Sequence, residues 1–258
     1  MELNVKQSGI ECRSFLTRYY KNRGGRVLKT VDERYLRNDI SCGSSICSPC
    51  QSISLPKLLS NKGKHSSIHS SHAVIIDSDA LSRFMDVFDS ESISNVMILQ
   101  SVWDCVKKKS ISAYKKMNSF VYEEKSPRFF VFFNELHSKA FVNPEKGENE
   151  EQRQWKCLMG SARYMEDHWK GGDMRPIVVC GDEERAVKMK KEYGMTMSLK
   201  EYIQGLDCGD KQKMLSHISI YDKSTEEGKS LFEEHLSHEE MIKGMAEGRI
   251  KKAQFTVS

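Results

Sequence analysis

Four short runs of almost wholly apolar residues, each leading into a stretch of helical periodicity, constrain the fold of this chain more than any other feature. Val74-Ile75-Ile76, Val96-Met97-Ile98, Phe129 to Phe133 and Pro176 to Cys180 show no polar alternation, so none suits a strand with one wet face. Runs of this kind are strands buried on both sides, the signature of a parallel sheet covered by helices. Between them, Ala80 to Phe88 places Leu81, Phe84, Met85 and Phe88 on one helical side. Further helices are expected from about Ser101 to Met117, and from Glu150 to Lys170 after a loop through Asn143 to Gly147. A charged helix follows Gly181-Asp182 to Tyr193, and another spans Leu199 to Leu206 after a short extended piece, Met195 to Met197. The expectation is an α/β domain over residues 72–206, with a central parallel sheet flanked by helices.

The flanks read differently. Residues 1–50 form an N-terminal segment in which Arg18, Lys21, Arg23 and Arg26 surround Gly24-Gly25, read as a turn, before a short strand-like piece at Val27-Leu28. Residues 51–71 are rich in Ser, Lys and His and read as a mobile linker, and 207–230 as a second one. Residues 231–258 are too few to build another core. The balance of 40 basic and 36 acidic residues, net +4, permits contact with RNA without arguing for it. No apolar run approaches the roughly 20 residues of a membrane span. The opening residues carry no apolar signal core, so an intracellular chain is expected. Its eight cysteines are then core residues, metal ligands or reactive thiols, not disulfides.

Cys42, Cys47 and Cys50, with four and then two residues between them, are spaced to wrap one tetrahedral zinc. A structural site needs a fourth ligand, and His65, His69, His72 and His168 are all candidates. The alternative is three reduced, half-buried cysteines. At the other kind of site, ligands of open parallel sheets gather at the carboxyl ends of strands. Asp77 and Asp182 both follow strands there, where carboxylates can hold Mg²⁺ or Mn²⁺ and activate water against a phosphodiester. An Asp after a strand also caps the next helix, and Glu183-Glu184 in the following turn favours that reading for Asp182.

These features resemble one family. The stretch Val31 to Gly43 (VDERYLRNDISCG), the cysteine spacing, His72 five residues before Asp77, and Ile98-Leu99-Gln100-Ser101-Val102 resemble the N-terminal region of the catalytic subunit of the eukaryotic RNA exosome, an RNase II/R-type protein. Tyr114-Lys115-Lys116, Asn134-Glu135, Gly147-Glu148-Asn149 and Glu166-Asp167-His168 continue the similarity, and Phe232 to Gln254 resembles the approach to a cold-shock (OB) region. The resemblance implies a PIN-like fold for residues 72–206 and a structural zinc held by Cys42, Cys47, Cys50 and His168. It also implies docking on the core ring subunits of the exosome, in nucleus, cytoplasm or both, with RNA as a further partner, no small-molecule substrate and no membrane.

Family PIN domains can be manganese-dependent endonucleases that use four acids. By resemblance the first is Asp77, in Asp77-Ser78-Asp79, and the fourth is Asp182, while the second falls on Cys105 and the third on Trp155. A thiol is a soft ligand, poor for Mg²⁺ or Mn²⁺, and tryptophan offers none. The expectation is a remnant acidic pocket at Asp77 and Asp182 in a catalytically impaired module that docks on the exosome ring or channels RNA. The rival is an active manganese-dependent endoribonuclease with Asp79 and Asp104 as substitute acids. Full-length members of the family are 3′–5′ exoribonucleases, whose catalytic domain is absent from this chain. Elsewhere, Lys107-Lys108-Lys109 reads as a solvated helix face, Met189, Met195 and Met197 as core fillers, and Trp155 as packing on the sheet's rim.

Overall fold

The computed structural model describes residues 10–22, 24–59, 65–68, 70–122 and 128–220. His69 and the whole of 231–258 lie outside these residues. The chain opens with two long strands, β1 (Ile10–Lys21) and β2 (Val27–Arg37), and one helical turn, α1 (Ser48–Gln51). Then come β3 (Ser71–Ile76), α2 (Ser78–Arg83), a 3-10 turn over Met85–Asp89, β4 (Val96–Leu99), α3 (Gln100–Lys109) and α4 (Ile111–Val121). The rest is β5 (Phe129–Phe132), α5 (Glu150–His168), β6 (Met174–Cys180), α6 (Glu183–Lys190), β7 (Thr196–Ser198), α7 (Leu199–Gly205) and α8 (Lys211–Ser219).

Five strands pair in parallel in the order β5-β4-β3-β6-β7. Val74 of the central strand lies between Val96 and Ile177, and the residues of β4 are all buried. That two-sided burial is why these strands are apolar throughout. β3 and β6 run side by side, and the Asp77 N–H bonds the Val179 carbonyl at 3.2 Å. The two sequence-expected acids therefore emerge at one edge of the sheet.

The expected helix from Ala80 to Phe88 breaks after Arg83 into a 3-10 turn, although Phe84, Met85 and Phe88 are buried as its periodicity required. The expected helix from Ser101 to Met117 is two helices. Ser110 is extended (φ −141°, ψ 107°) and its side chain accepts from the Ala113 N–H, restarting the chain as α4. A serine that satisfies a helix N-terminus locally competes with continuation of the preceding helix.

Both stretches read as linkers hold packed residues. Leu58 is fully buried and its carbonyl takes the Ser45 N–H at 2.8 Å. Helix α8 buries Met214 and Ile218, and Asp210 just before it accepts from Ser92 Oγ at 3.0 Å. The piece at Val27-Leu28 extends into an eleven-residue strand paired antiparallel with β1. The double glycine is the turn: Gly25 has φ +76°, which favours glycine, and its N–H bonds the Asn22 carbonyl at 3.0 Å. The hairpin joins the body at Arg37, whose N–H and carbonyl pair with Leu136 and Ser138, each at 2.8 Å. Among the described residues, no helix is long and apolar enough to cross a membrane.

Candidate functional site

Two clusters of chemistry stand on this frame. The first lies where the N-terminal segment crosses the end of α5. Cys47 and Cys50 Sγ sit 3.1 and 3.4 Å from His168 Nε2, and Cys50 Sγ accepts the Cys42 N–H at 3.4 Å. The ligand atoms of Cys42, Cys47, Cys50 and His168 all lie within 4.8 Å of one another. His65 and His72 are engaged elsewhere, their Nε2 atoms 3.0 Å from the carbonyl and the hydroxyl of Tyr202. Local sequence makes the approach possible. Gly43 has φ +72° and sits where a Cβ would meet the Phe130 ring at 2.8 Å. Pro49 lies in the first turn of α1, which carries Cys50 inward.

Burial pushes the Cys42 thiol up to about 12, against the Trp169 indole N–H that donates to its sulfur at 3.3 Å. Burial also raises Cys47, and together with Lys139 it lowers His168, keeping the imidazole neutral. The Cys42 and Cys47 thiols, which resist ionisation, stand beside a neutral imidazole in a set that a cation would convert to thiolates. Three sulfurs and one nitrogen suit tetrahedral zinc, with ligand separations of about 3.3–3.8 Å, and not a hard ion. The arrangement could therefore hold zinc.

The second cluster is the acidic edge. Asp77 is fully buried. Its Oδ1 accepts from the Ala80 N–H at 2.8 Å, capping α2, and from the Gly181 N–H at 3.0 Å; Oδ2 lies 3.5 Å from Arg185. Asp182 caps α6 by accepting the Arg185 N–H at 2.9 Å. Both acids are thus caps, the reading that the sequence favoured for Asp182. Asp79, in the first turn of α2, pairs with Arg185 and with Lys109 Nζ, the latter at 3.3 Å. Asp104 is not part of this edge: it lines a separate hollow with Gln100, Ser101, Glu135 and Arg153.

Burial and the nearby Asp79 charge push Asp77 up to about 6, although Ala80, Arg185 and Gly181 pull the other way. For Asp79, burial opposes ionisation, but Arg185, Lys109 and Arg83 outweigh it and hold the carboxyl below its ordinary range. Cys105 is buried, and desolvation raises its thiol. Beside it, Ser78 donates to Gln154 at 2.7 Å, so neutral hydrogen bonding fills this flank. Trp155 packs on the core and donates to Glu192 at 3.1 Å, just beyond the C-terminal end of α6 and away from Asp182.

Sequence reasoning missed three residues here. Glu151, one turn before Trp155, accepts from Arg185 at 2.8 Å. Arg185 itself links α6 to α2 and α5, and Lys109 turns into the edge instead of lying on a solvated face. An available signal was Arg185 in the first turn of a helix, where the dipole disfavours a cation unless acids hold it. Among the described residues, no second group of three or more His, Cys, Asp or Glu side chains converges as the Cys42 cluster does.

The loop between β6 and α6 depends on Gly181, since a Cβ there would meet the backbone N of Ala80 at 2.4 Å. Backbone cannot give way as a side chain can. Gly181→Ala is expected to break the Gly181–Asp77 hydrogen bond and to destabilise by about 2 kcal/mol. Thermal unfolding should fall by roughly 6 °C, while zinc content stays unchanged; an unshifted transition would refute the close approach.

No family model matches the chain. It is 41% identical over 261 residues to the probable exosome complex exonuclease RRP44 of Caenorhabditis elegans, covering 100% of this chain and 27% of that protein. The human exosome complex exonuclease RRP44 is 28% identical over 257 residues, covering 96% of this chain and 26% of its own length. The Schizosaccharomyces pombe exosome complex exonuclease dis3 is 30% identical over 252 residues, covering 91% and 26%. The chain therefore spans about a quarter of the length of the curated relatives it matches. In three dimensions it resembles the PIN domain of T. brucei RRP44, with a TM-score of 0.50 at 20% identity, over 63% of this chain and 87% of that one. With a PIN fold in its α/β body and sequence similarity along its whole length, the chain is a homologue of the exosome exonucleases named RRP44 and dis3.

Proposed function

We propose that this chain acts in exosome-associated RNA processing and decay as a PIN module that no longer cuts RNA. Its N-terminal segment, clamped by zinc at Cys42, Cys47, Cys50 and His168, docks it on core ring subunits of the exosome or helps to channel RNA. The reading is carried by Asp77. Both of its oxygens face internal partners, Ala80 and Gly181 N–H on one side and Arg185 on the other, and the residue is fully buried. With Oδ1 shared by two backbone N–H groups and Oδ2 facing the Arg185 guanidinium, this carboxylate is engaged within the protein and poorly placed to take up a metal, and the neutral Cys105 thiol lies where the second acid would stand.

The rival, an active manganese-dependent endoribonuclease, draws support from Glu151, which brings a third carboxylate toward Asp77 and Asp79. A circular single-stranded RNA incubated with Mn²⁺ separates the two. We expect the RNA to remain intact; cleavage that Asp77→Asn abolishes would establish the rival. Capture of exosome ring subunits by the intact protein, and its loss in Cys47→Ser, tests the docking role. Recovery of no ring subunit with the intact protein defeats it.

A further inference from the structure

One guanidinium reaches carboxylates from three different elements. Arg185, in the first turn of α6, contacts Asp79 of α2, Glu151 of α5 at 2.8 Å and Asp77 at the end of β3 at 3.5 Å. We propose that Arg185, assisted by Lys109, is the resident cation of this pocket: it takes the place of a divalent metal ion and keeps Mn²⁺ and Mg²⁺ out. The inference deepens the reading of an impaired PIN module and rests on it.

Charge supports the assignment. Asp77, Asp79 and Glu151 bring three negative charges, which Arg185 and Lys109 answer by direct contact and Arg83 through its nearby charge, so the acids are already neutralised without a divalent ion. Ligand geometry supports it as well. A hard divalent ion requires several oxygens at about 2.1–2.5 Å. Here each Asp79 oxygen faces a cation, Oδ1 toward Lys109 and Oδ2 toward Arg185, and Glu151 Oε1 is bound to Arg185. An ion entering between these oxygens would displace the guanidinium or sit against its charge. The fork of a guanidinium suits several carboxylates at once, which a lysine ammonium at this position would not reproduce. Arg185 is correspondingly held ionised: burial opposes its charge, but Asp79, Asp77 and Glu151 prevail.

Mn²⁺ titration of the zinc-loaded full chain tests this, followed by the paramagnetic resonance of free Mn²⁺ and by thermal unfolding. The wild type is expected to bind Mn²⁺ weakly and to unfold at the same temperature with or without it. Arg185→Gln, which removes the charge and keeps most of the bulk, should bind one Mn²⁺ at least about tenfold more tightly, and adding Asp77→Asn should cancel the gain. If Arg185→Gln alone folds poorly, Mn²⁺ should restore its transition, and failure of Mn²⁺ to do so overturns the proposal. Arg185→Lys, which keeps the charge but not the fork, should gain less Mn²⁺ affinity than Arg185→Gln, and equal gains in the two variants would overturn the proposal. Wild-type binding as tight as that of Arg185→Gln, or a folded Arg185→Gln with no gain, also overturns it. RNA cleavage is scored separately. Manganese-dependent cutting by the wild type sinks the impaired-module reading, whereas an inert wild type with an Arg185→Gln that gains no metal sinks this inference alone.

Discussion

Replacing His168 with alanine is expected to abolish zinc binding and to release the N-terminal segment from the body while the parallel sheet stays folded. His168 Nε2 is the atom that Cys47 and Cys50 approach, at 3.1 and 3.4 Å, and it comes from a helix more than a hundred residues away in sequence. Without it three thiols remain, and burial raises Cys42 and Cys47. Structural zinc contributes folding energy outright, so its loss acts on whatever the metal ties together. The tie here is between the Cys42–Cys50 loop and the end of α5. Ser44 Oγ to Met174 Sδ at 3.4 Å, Trp169 Nε1 to Cys42 Sγ and the Arg37 backbone pairs also join the segment to the body, so the metal's loss is felt first at the Cys42–Cys50 loop. The wild type should carry about one zinc per chain, and the variant close to none by mass spectrometry. Its unfolding transition should fall by about 10 °C, as a loss of about 4 kcal/mol produces in a chain of this size. Trp169, now only 3% exposed against Cys42, should report the release as a red-shifted fluorescence. A chelator should reproduce each effect in the wild type. Retention of zinc by His168→Ala would remove His168 from the ligand set.

The same two clusters show where sequence was sufficient and where it was not. The sheet was legible because β3, β4 and β6 are buried on both faces, and such strands must be written in apolar residues. Of the hairpin only the Gly24-Gly25 turn and the Val27-Leu28 piece were legible. Val27 and Leu28, on opposite faces of β2, are 61% and 38% exposed, and a stretch wet on both faces has no inward face to impose alternation. Helix boundaries failed at Ser110 for a related reason: periodicity reports which face is buried, while a single side-chain cap decides where the helix restarts. The three cysteines announced themselves by spacing, but four histidines remained open on residue evidence alone, and His168 was singled out by family resemblance. At the acidic edge, Asp77 and Asp182 were legible as residues at the ends of strands, and the structure sets them after the adjacent strands β3 and β6 as helix caps. Glu151, Arg185 and Lys109 were hidden because charged residues on helices usually face water, and only the fold brings the first turns of α2, α5 and α6 together.

Asp77→Ala is expected to act on stability, with a loss of about 3–5 kcal/mol and a fall in the unfolding transition of roughly 10 °C. The side chain satisfies the N–H groups of Ala80 and Gly181 and shares the charge of Arg185, with Asp77 itself fully buried and Arg185 partly so. Removing it strands two donors and part of a cation, and stranded partners carry the full penalty of desolvation. Asp77→Asn keeps the shape and isolates the charge. Asp77 is raised in the fold from 3.8 to about 6, so the folded protein binds its proton more tightly than the unfolded chain does. That contribution favours folding fully below the unfolded value and is lost as pH rises through about 6. Asp79 is lowered, so its contribution is present above the unfolded carboxylate value and lost as pH falls. Asp77→Asn deletes the first and leaves the second. Between pH 4 and 6, the window set by Asp77's two values, the variant's stability should therefore climb more steeply with pH than the wild type's. Denaturant unfolding at a series of pH values measures both slopes. Equal slopes would show that Asp77 is not the buried, proton-sensitive centre of the edge, whereas a steeper one in Asp77→Asn, together with the large deficit of Asp77→Ala, would mark this carboxyl as a structural group in the position of a nuclease ligand.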